Sequence, residues 1–460
     1  VGLYVWLTLG LLGSKRRSVL VSRLRLVVSV LAVLVGLVAG CSADQGQAFD
    51  VAVAATAEAL QAEAPTVEPT VVEPTATPTP EPVPTVPVTY DGVYAIEVDG
   101  SGHYFTIEEA LEQVTNGAEL RLGAGTFLIT APLVIDKDIV LTGAGQNSTT
   151  ITMGGTNDLI ISVTEAEVTI TDLTTDGGSG VNVNESEIDI HRVTFQRSSL
   201  NGLTISNSVG TVTDSTAKDN AGAGFVWRKQ APSMSLVWWK QAPGMASNKT
   251  TQNNGGKAFQ IGSGSGDLEL TGNTAQNNAV SGFEIGGSAA PQLTGNTSKD
   301  NAGSGFVWFE QASGVASNNT SQNNQYHGFQ ISGSALLELT GNTSNNNRYS
   351  GFLFTGSAAV DLTDNTAKDN AQAGFVWAVQ ASGVASNNTA QNNQLSGFIM
   401  GGSAAPTLFY NTSKDNGKAG FVWWEQASGV ASNNTTQNNG GKAFFNESSG
   451  DLELSNNNEE

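Results

Sequence analysis

Residues 283–305 read FEIGGSAAPQLTGNTSKDNAGSG, and residues 306–328 read FVWFEQASGVASNNTSQNNQYHG. The two lines align without a gap. A Phe opens each, and the same spacing continues through Phe329, Phe352, Phe375, Phe398, Phe421 and Phe444, always 23 residues apart. An Asn before a Thr keeps the same period at Asn273, Asn296, Asn319, Asn342, Asn365, Asn388, Asn411 and Asn434. A second Asn series runs from Asn278 through Asn301 and Asn324 to Asn439. A fixed period in the low twenties, with short apolar strands between Asn/Gly turns, indicates a solenoid. Helical repeats need longer 3.6-residue patterns, which Gly-Ser-Ala-Ala and Asn-Asn interrupt. The leucine-rich signature is absent.

In a parallel β-helix each element of the repeat has a physical role. One circuit of chain makes one rung, and each strand pairs with its equivalent in the next rung, ~4.8 Å away, so equivalent positions stack. Phe283 and Ile285 alternate with Glu284, which points the first two inward and the Glu outward. Stacked Asn side chains at a turn can hydrogen-bond to one another and to backbone, and Asn tolerates a left-handed bend. A dozen or more rungs fit residues 118–460, a rod on the order of 60 Å. The register has one fault. Phe225 and Phe259 are 34 residues apart, eleven beyond one repeat, and Val226–Pro232 has an imperfect copy at Val237–Pro243. One copy is expected to keep the rung and the other to bulge. At the C-terminal end Asn457 continues the first Asn series, and the open parallel edge there is expected to be covered by a protein partner, to be kept from pairing by the acidic Glu459-Glu460, or to belong to a truncated sequence.

Upstream of the repeats, Thr106-Ile107-Glu108-Glu109 is a capping box. Ile107, Ala110, Leu111 and Val114 share a helical face, and Gly117 is expected to end the helix. Short alternating strands follow at Leu120–Leu122, Leu133–Ile135, Ile139–Leu141 and Thr149–Ile151. This string, from Phe105-Thr106-Ile107 through Gly123-Ala124-Gly125-Thr126-Phe127 to Leu141-Thr142-Gly143, resembles the N-terminal end of pectin-lyase-like β-helices. The resemblance implies an all-β, right-handed, single-stranded parallel β-helix with a short N-terminal capping helix. The degenerate Gly/Asn repeats are similar to generic β-helix repeats of carbohydrate-binding and sugar-hydrolysis modules. A similar repeat occurs in the periplasmic factor that assists copper loading of nitrous oxide reductase, but Met and His are too few here for that role.

Residues 26–39 form an apolar run preceded by Arg23 and Arg25, short for a bilayer span and suited to a signal-peptide core. The run leads into Val38-Ala39-Gly40-Cys41, which resembles the lipobox of bacterial lipoproteins. The resemblance implies lipidation at Cys41, the sole cysteine, and an exported protein anchored by lipid at the cell surface or envelope. Residues 42–89 are rich in Pro, Thr and Glu and are expected to form a linker, extended where Pro recurs. The expected organisation is signal peptide 1–41, linker 42–89, cap and first rungs 90–150, and repeats 151–460.

The chain carries 42 acidic and 21 basic residues, a formal net charge of −21. Five of the basic residues precede Cys41 and no acidic residue does. A nucleic-acid binder needs a basic footprint, so that class is excluded. One Cys and three His (His103, His191, His327) do not make a zinc site or a His-rich metal centre. The Lys-Asp-Asn turns at Lys218, Lys299, Lys368 and Lys414 offer carboxylate oxygens for weak Ca²⁺ binding, although the nonapeptide Ca²⁺ repeat is absent. No other cofactor is expected.

Trp308, Trp377 and Trp423 fall two residues after a repeat Phe, an inward slot filled elsewhere by Ile285, Ile331, Phe354 and Met400. The next residue is Trp239 after Trp238, Phe309 after Trp308 and Trp424 after Trp423, with Arg228 and Ala378 elsewhere, and an outward aromatic there is suited to stacking on sugar rings. The one place where acid, His and Arg meet is Asp189, His191 and Arg192, with His191 expected to face out opposite Ile188 and Ile190. The Gly-His-Gly and Arg-x-Lys of polygalacturonase-like proteins are missing. Three functions therefore stay open. One is a non-catalytic surface module that binds polysaccharide or another envelope component. Another is a polysaccharide lyase or glycoside hydrolase working through Asp189, His191 and Arg192. The third is a structural envelope scaffold.

Overall fold

The structure is a computed structural model that describes residues 93–154, 158–228, 245–265 and 268–460. They fall in one unit, Val86–Glu460. It is an all-β, right-handed parallel β-helix.

The rung beginning at Phe306 shows the plan. A first strand, Phe306–Trp308, leads through a turn to a second, Ser313–Ser317, and past a corner to a third, Thr320–Gln322. First strands stack into a 14-stranded sheet, while second and third strands join into a 29-stranded one. Register is kept residue for residue: Phe306 pairs with Phe329, and Thr320 with Thr343.

The corners between strands carry the Asn series. At the first corner the residue before the ladder Asn takes the left-handed conformation: Gly295 (φ 64°), Asn318 (φ 55°), Gly341 (φ 64°) and Asp364 (φ 59°). The bend thus belongs to the neighbour of the ladder Asn, which corrects the expectation. Freed of the turn, the ladder side chain points inward. Asn342 is fully buried; its Nδ2 donates to Asn365 Oδ1 (2.9 Å) and Ala316 O (2.8 Å). Its Oδ1 accepts from Asn319 N (2.9 Å) and Asn319 Nδ2 (3.0 Å). All four valences of the amide are used, so a buried polar column carries no unsatisfied group. The bonding repeats from Asn273 to Asn434, and a second ladder runs from Asn220 to Asn439.

Phe side chains fill the core beside the ladders. Ring centroids are 4.6 Å apart at 3° for Phe259–Phe283 and 4.7 Å at 6° for Phe352–Phe375. Trp308 and Trp377 are fully buried in the slot after the Phe, with no hydrogen-bond partner for Nε1 among the described residues.

Earlier rungs use other side chains in the same slots. The Phe column starts as Leu133, Ile161, Val181 and Leu203. The first ladder slot reads Leu173, Val193, Ser215, Lys249 and then Asn273. Lys249 is buried, its Nζ has no hydrogen-bond partner among the described residues, and it lies 5.6 and 5.1 Å from the ring centroids of Phe225 and Trp227. Burial drives its ammonium pKa well below the ordinary lysine value. At the register fault Val226 and Trp227 stay in the sheet, opposite Gln260 and Ile261. The second copy lies outside the described residues.

The helix spans Ile107–Gln113 and buries Ile107 and Ala110. Thr106 Oγ1 accepts from Glu109 N (3.0 Å), while Glu109 Oε2 accepts from Phe105 N (3.1 Å). The helix stops before the expected Gly117, because Val114 is already extended (φ −74°, ψ 157°). Lys137 Nζ donates to the free carbonyls of Leu111 (2.8 Å) and Val114 (3.0 Å), a cation placed where the helix end is negative.

Candidate functional site

Strand Glu187–Gln196 carries the expected acid–His–Arg group. Asp189 and His191 project from the outer face, and Ile188 and Ile190 are buried behind them. Arg192 sits at the corner in the left-handed conformation (φ 51°), between Asp172 (φ 58°) one rung before and Asp214 (φ 46°) one rung after. Its Nε and Nη2 donate to the two oxygens of Asp172, each at 2.6 Å. Those bonds hold the Asp172 carboxyl below the usual carboxylate range. His191 Nδ1 is 2.5 Å from Thr213 Oγ1 and 3.4 Å from Asp214 Oδ2. Asp189 accepts a hydrogen bond from the Thr211 hydroxyl instead. The structure therefore separates Asp189 from Arg192 and gives Arg192 two acids that sequence reading missed. The rung steps here are 20 residues back to Asp172 and 22 on to Asp214, and no constant spacing exposes the column.

The outward aromatics do not come together. Phe309 and Trp424 occupy equivalent slots five rungs apart, about 24 Å at the rung spacing. Ser332, Thr355, Ala378 and Gly401 lie between them. The Phe309 ring covers Gly286, where a Cβ would overlap it, while Trp424 is 49% exposed. Trp239 lies outside the described residues, as does Cys41. The carboxylates of Asp219, Asp300, Asp369 and Asp415 sit at left-handed corners two or three rungs apart, too far for one ion to bridge. Among the described residues no three His, Cys, Asp or Glu side chains converge on a metal position.

The most regular outward feature is one that sequence reading did not single out. One register position in the third strands is Thr in every rung from Thr126 to Thr435, and from Thr216 on it is the strand's first residue. The pairing crosses the irregular rungs without a break: Thr126 pairs with Thr150, Thr150 with Thr174, and Thr216 with Thr250. Thr174 and Thr194 are buried there, and the Thr174 hydroxyl donates to Gln146 O. Two residues further along each strand a second outward column reads Gln252, Gln276, Lys299, Gln322 and Asn345.

Residues 151–316, 235–382 and 307–458 match the family described as right-handed beta helix region. The chain belongs to the right-handed β-helix family. No curated protein matches this β-helix in sequence. Among solved structures it is similar to the A-module of mannuronan C-5 epimerase AlgE6 from Azotobacter vinelandii (15% identity, 77% of this chain and 93% of that one, TM-score 0.39). It is also similar to the catalytic unit of a GH87 α-1,3-glucanase from Streptomyces thermodiastaticus strain HF3-3 (12%, 76% and 64%, TM-score 0.41). A third is pectate lyase Pel9A (15%, 70% and 79%, TM-score 0.31). Identities this low speak to fold and leave chemistry to be argued from the side chains of this β-helix.

Proposed function

We propose that this protein is a non-catalytic polysaccharide-binding module, exported and held at the cell surface by a lipid on Cys41, with residues 42–89 as the spacer. The observation that supports the reading is the outer face of the third strands. Its threonine column repeats a polar, uncharged side chain at one-rung spacing, partly exposed in every rung from Thr250 to Thr435. A polymer with a short repeat can meet such a face at many equivalent points, each weak and together strong. The test is a glycan-array screen with the full chain, assayed in parallel for new reducing ends and for ultraviolet-absorbing unsaturated uronates, with and without Ca²⁺. Binding without product is the expected result. No binding to any glycan would overturn it.

One observation favours a second reading, a lyase or hydrolase: Asp172, His191, Arg192 and Asp214 converge at one corner. Against it, Arg192 is bonded through two nitrogens to Asp172, which ties up the carboxylate that would have to carry a proton. Product formation abolished by Arg192→Gln would reverse the ranking.

A further inference from the structure

We infer that the ligand-contacting surface is the threonine column itself, and that the ligand is an extended, neutral, hydroxyl-rich polysaccharide chain lying along the rod axis. The inference rests on the binding reading above and specifies where and what the module binds.

Three observations carry it. First, the residue type is constant where neighbouring positions are not. The inward position beside it changes from Phe127 through Ile151, Thr175 and Ala217 to Ser298, and the next outward one from Leu128 through Asp176 to Lys299. Strand preference would accept Val, Ile or Tyr equally, and none appears in the column. The hydroxyl is the feature held constant. Second, from Thr250 to Thr435 the hydroxyls make no hydrogen bond to any described protein group, and every one of these residues is partly exposed. A free hydroxyl donates one bond and accepts two. The β-branched side chain has few rotamers in a strand, so the row is ordered before a ligand arrives. This stretch runs about 40 Å at the rung spacing, which suits a chain rather than a single ring. Third, the lysines beside the column stand next to acids. Lys218, Lys299, Lys368 and Lys414 in the adjoining column are each followed by an Asp, and Lys368 Nζ lies 3.5 Å from Asp369. A chain of uronates or sulfates would meet a carboxylate next to each of these lysines.

The experiment titrates the full chain with soluble neutral glucans and mannans of increasing length, against polyuronates as the charged comparison. Two triple variants at Thr320, Thr343 and Thr366 are compared. Thr→Val keeps the shape and removes the hydroxyl, and Thr→Ser keeps the hydroxyl and removes the methyl. Affinity is expected to grow with chain length in the wild type, to fall at least tenfold in the Val variant and to be largely retained in the Ser variant. Matching thermal melts establish that both variants fold. Undiminished binding by the Val variant would overturn the assignment while leaving the binding module intact. Equal losses in both variants, or binding confined to polyuronates, would also overturn it. A wild type that binds no glycan would overturn the parent reading with it.

Discussion

The rungs before Thr250 and those after it hold the same fold by different means. In the early rungs steps of 20 and 22 residues bring strands into register, aliphatic side chains such as Val181 and Leu203 fill the core, and the corners are tied by ion pairs, Arg192 to Asp172 and Arg197 to Asp176. In the later rungs the step is constant, Phe rings stack, and the corners are tied by buried amides. An aliphatic side chain fits its slot on its own account. A ladder Asn inside the column depends on the next one for the acceptor of its own N and Nδ2. The late region is therefore cooperative along its axis in a way that the early region is not.

The largest expected effect breaks that cooperativity. Asn342→Ala removes the acceptor for Asn319 N and Nδ2 and the donor to Ala316 O. At about 1–3 kcal/mol for each stranded buried group, a loss on the order of 4 kcal/mol is expected. Val193→Ala, in the equivalent slot of an early rung, strands nothing and is expected to cost about 2 kcal/mol. Solenoids open locally, so amide hydrogen exchange is the measurement. Protection should fall at the rungs on both sides of Asn342, but only around the altered residue at Val193. Equal, local losses would show that the ladder adds no coupling.

How much of this was legible follows from the same contrast. The Phe stack and both Asn ladders repeat at constant spacing, so sequence alone exposed them. The threonine column keeps the same period from Thr274 to Thr435, where it reads only as the residue after each ladder Asn; between Thr126 and Thr274 its members are separated by unequal steps, and periodicity does not find that continuation. The partners of Arg192 were hidden for that reason. Residue chemistry also misled: Asn tolerates left-handed backbone, yet the bend at the first corner falls on Gly295 or Asn318, because a ladder side chain has to point inward. Phe309 and Trp424 read as a surface patch when taken as a residue type, and their five-rung separation dissolves it.

A smaller effect tests a break within the regular region. Most rungs place Ser or Ala where His327 stands, and Tyr326 and Tyr349 stack beside it with centroids 5.3 Å apart at 6°. The His327 Nδ1 is buried without a hydrogen-bond partner among the described residues, and burial pushes its pKa down to about 4. The unfolded chain takes up the proton near the ordinary value of about 6.5. Stability is therefore complete above that value and falls as pH drops from about 6.5 to 4, by at most about 3 kcal/mol. His327→Ser is expected to abolish this part of the pH dependence. Denaturant melts across that interval should show the slope in the wild type alone; parallel curves would refute it.

The smallest expected effect lies at the junction between the two regions. Lys249 holds the last slot before the ladder, and its own N already donates to Asn273 Oδ1 (3.1 Å). Its amine is buried against Phe225 and Trp227, with the Asp214 carboxylate its one favourable charge. The unfolded state binds a proton that the folded state resists, so stability rises with pH from the lowered folded pKa up to about 10.5. Lys249→Asn removes the buried amine and adds a rung to the ladder, because an Asn Nδ2 at this position can reach Asn273 Oδ1 as every later rung does. Part of the gain is offset by the lost cation–π contact. A net stabilisation of about 1–2 kcal/mol is expected, together with a flatter pH profile. Lys249→Met, which removes the charge but cannot join the ladder, separates the two contributions. If Met stabilises as much as Asn, the gain comes from removing a buried amine. If Asn exceeds Met, extending the ladder contributes in its own right, and the boundary between the regions is set by which side chain occupies one slot.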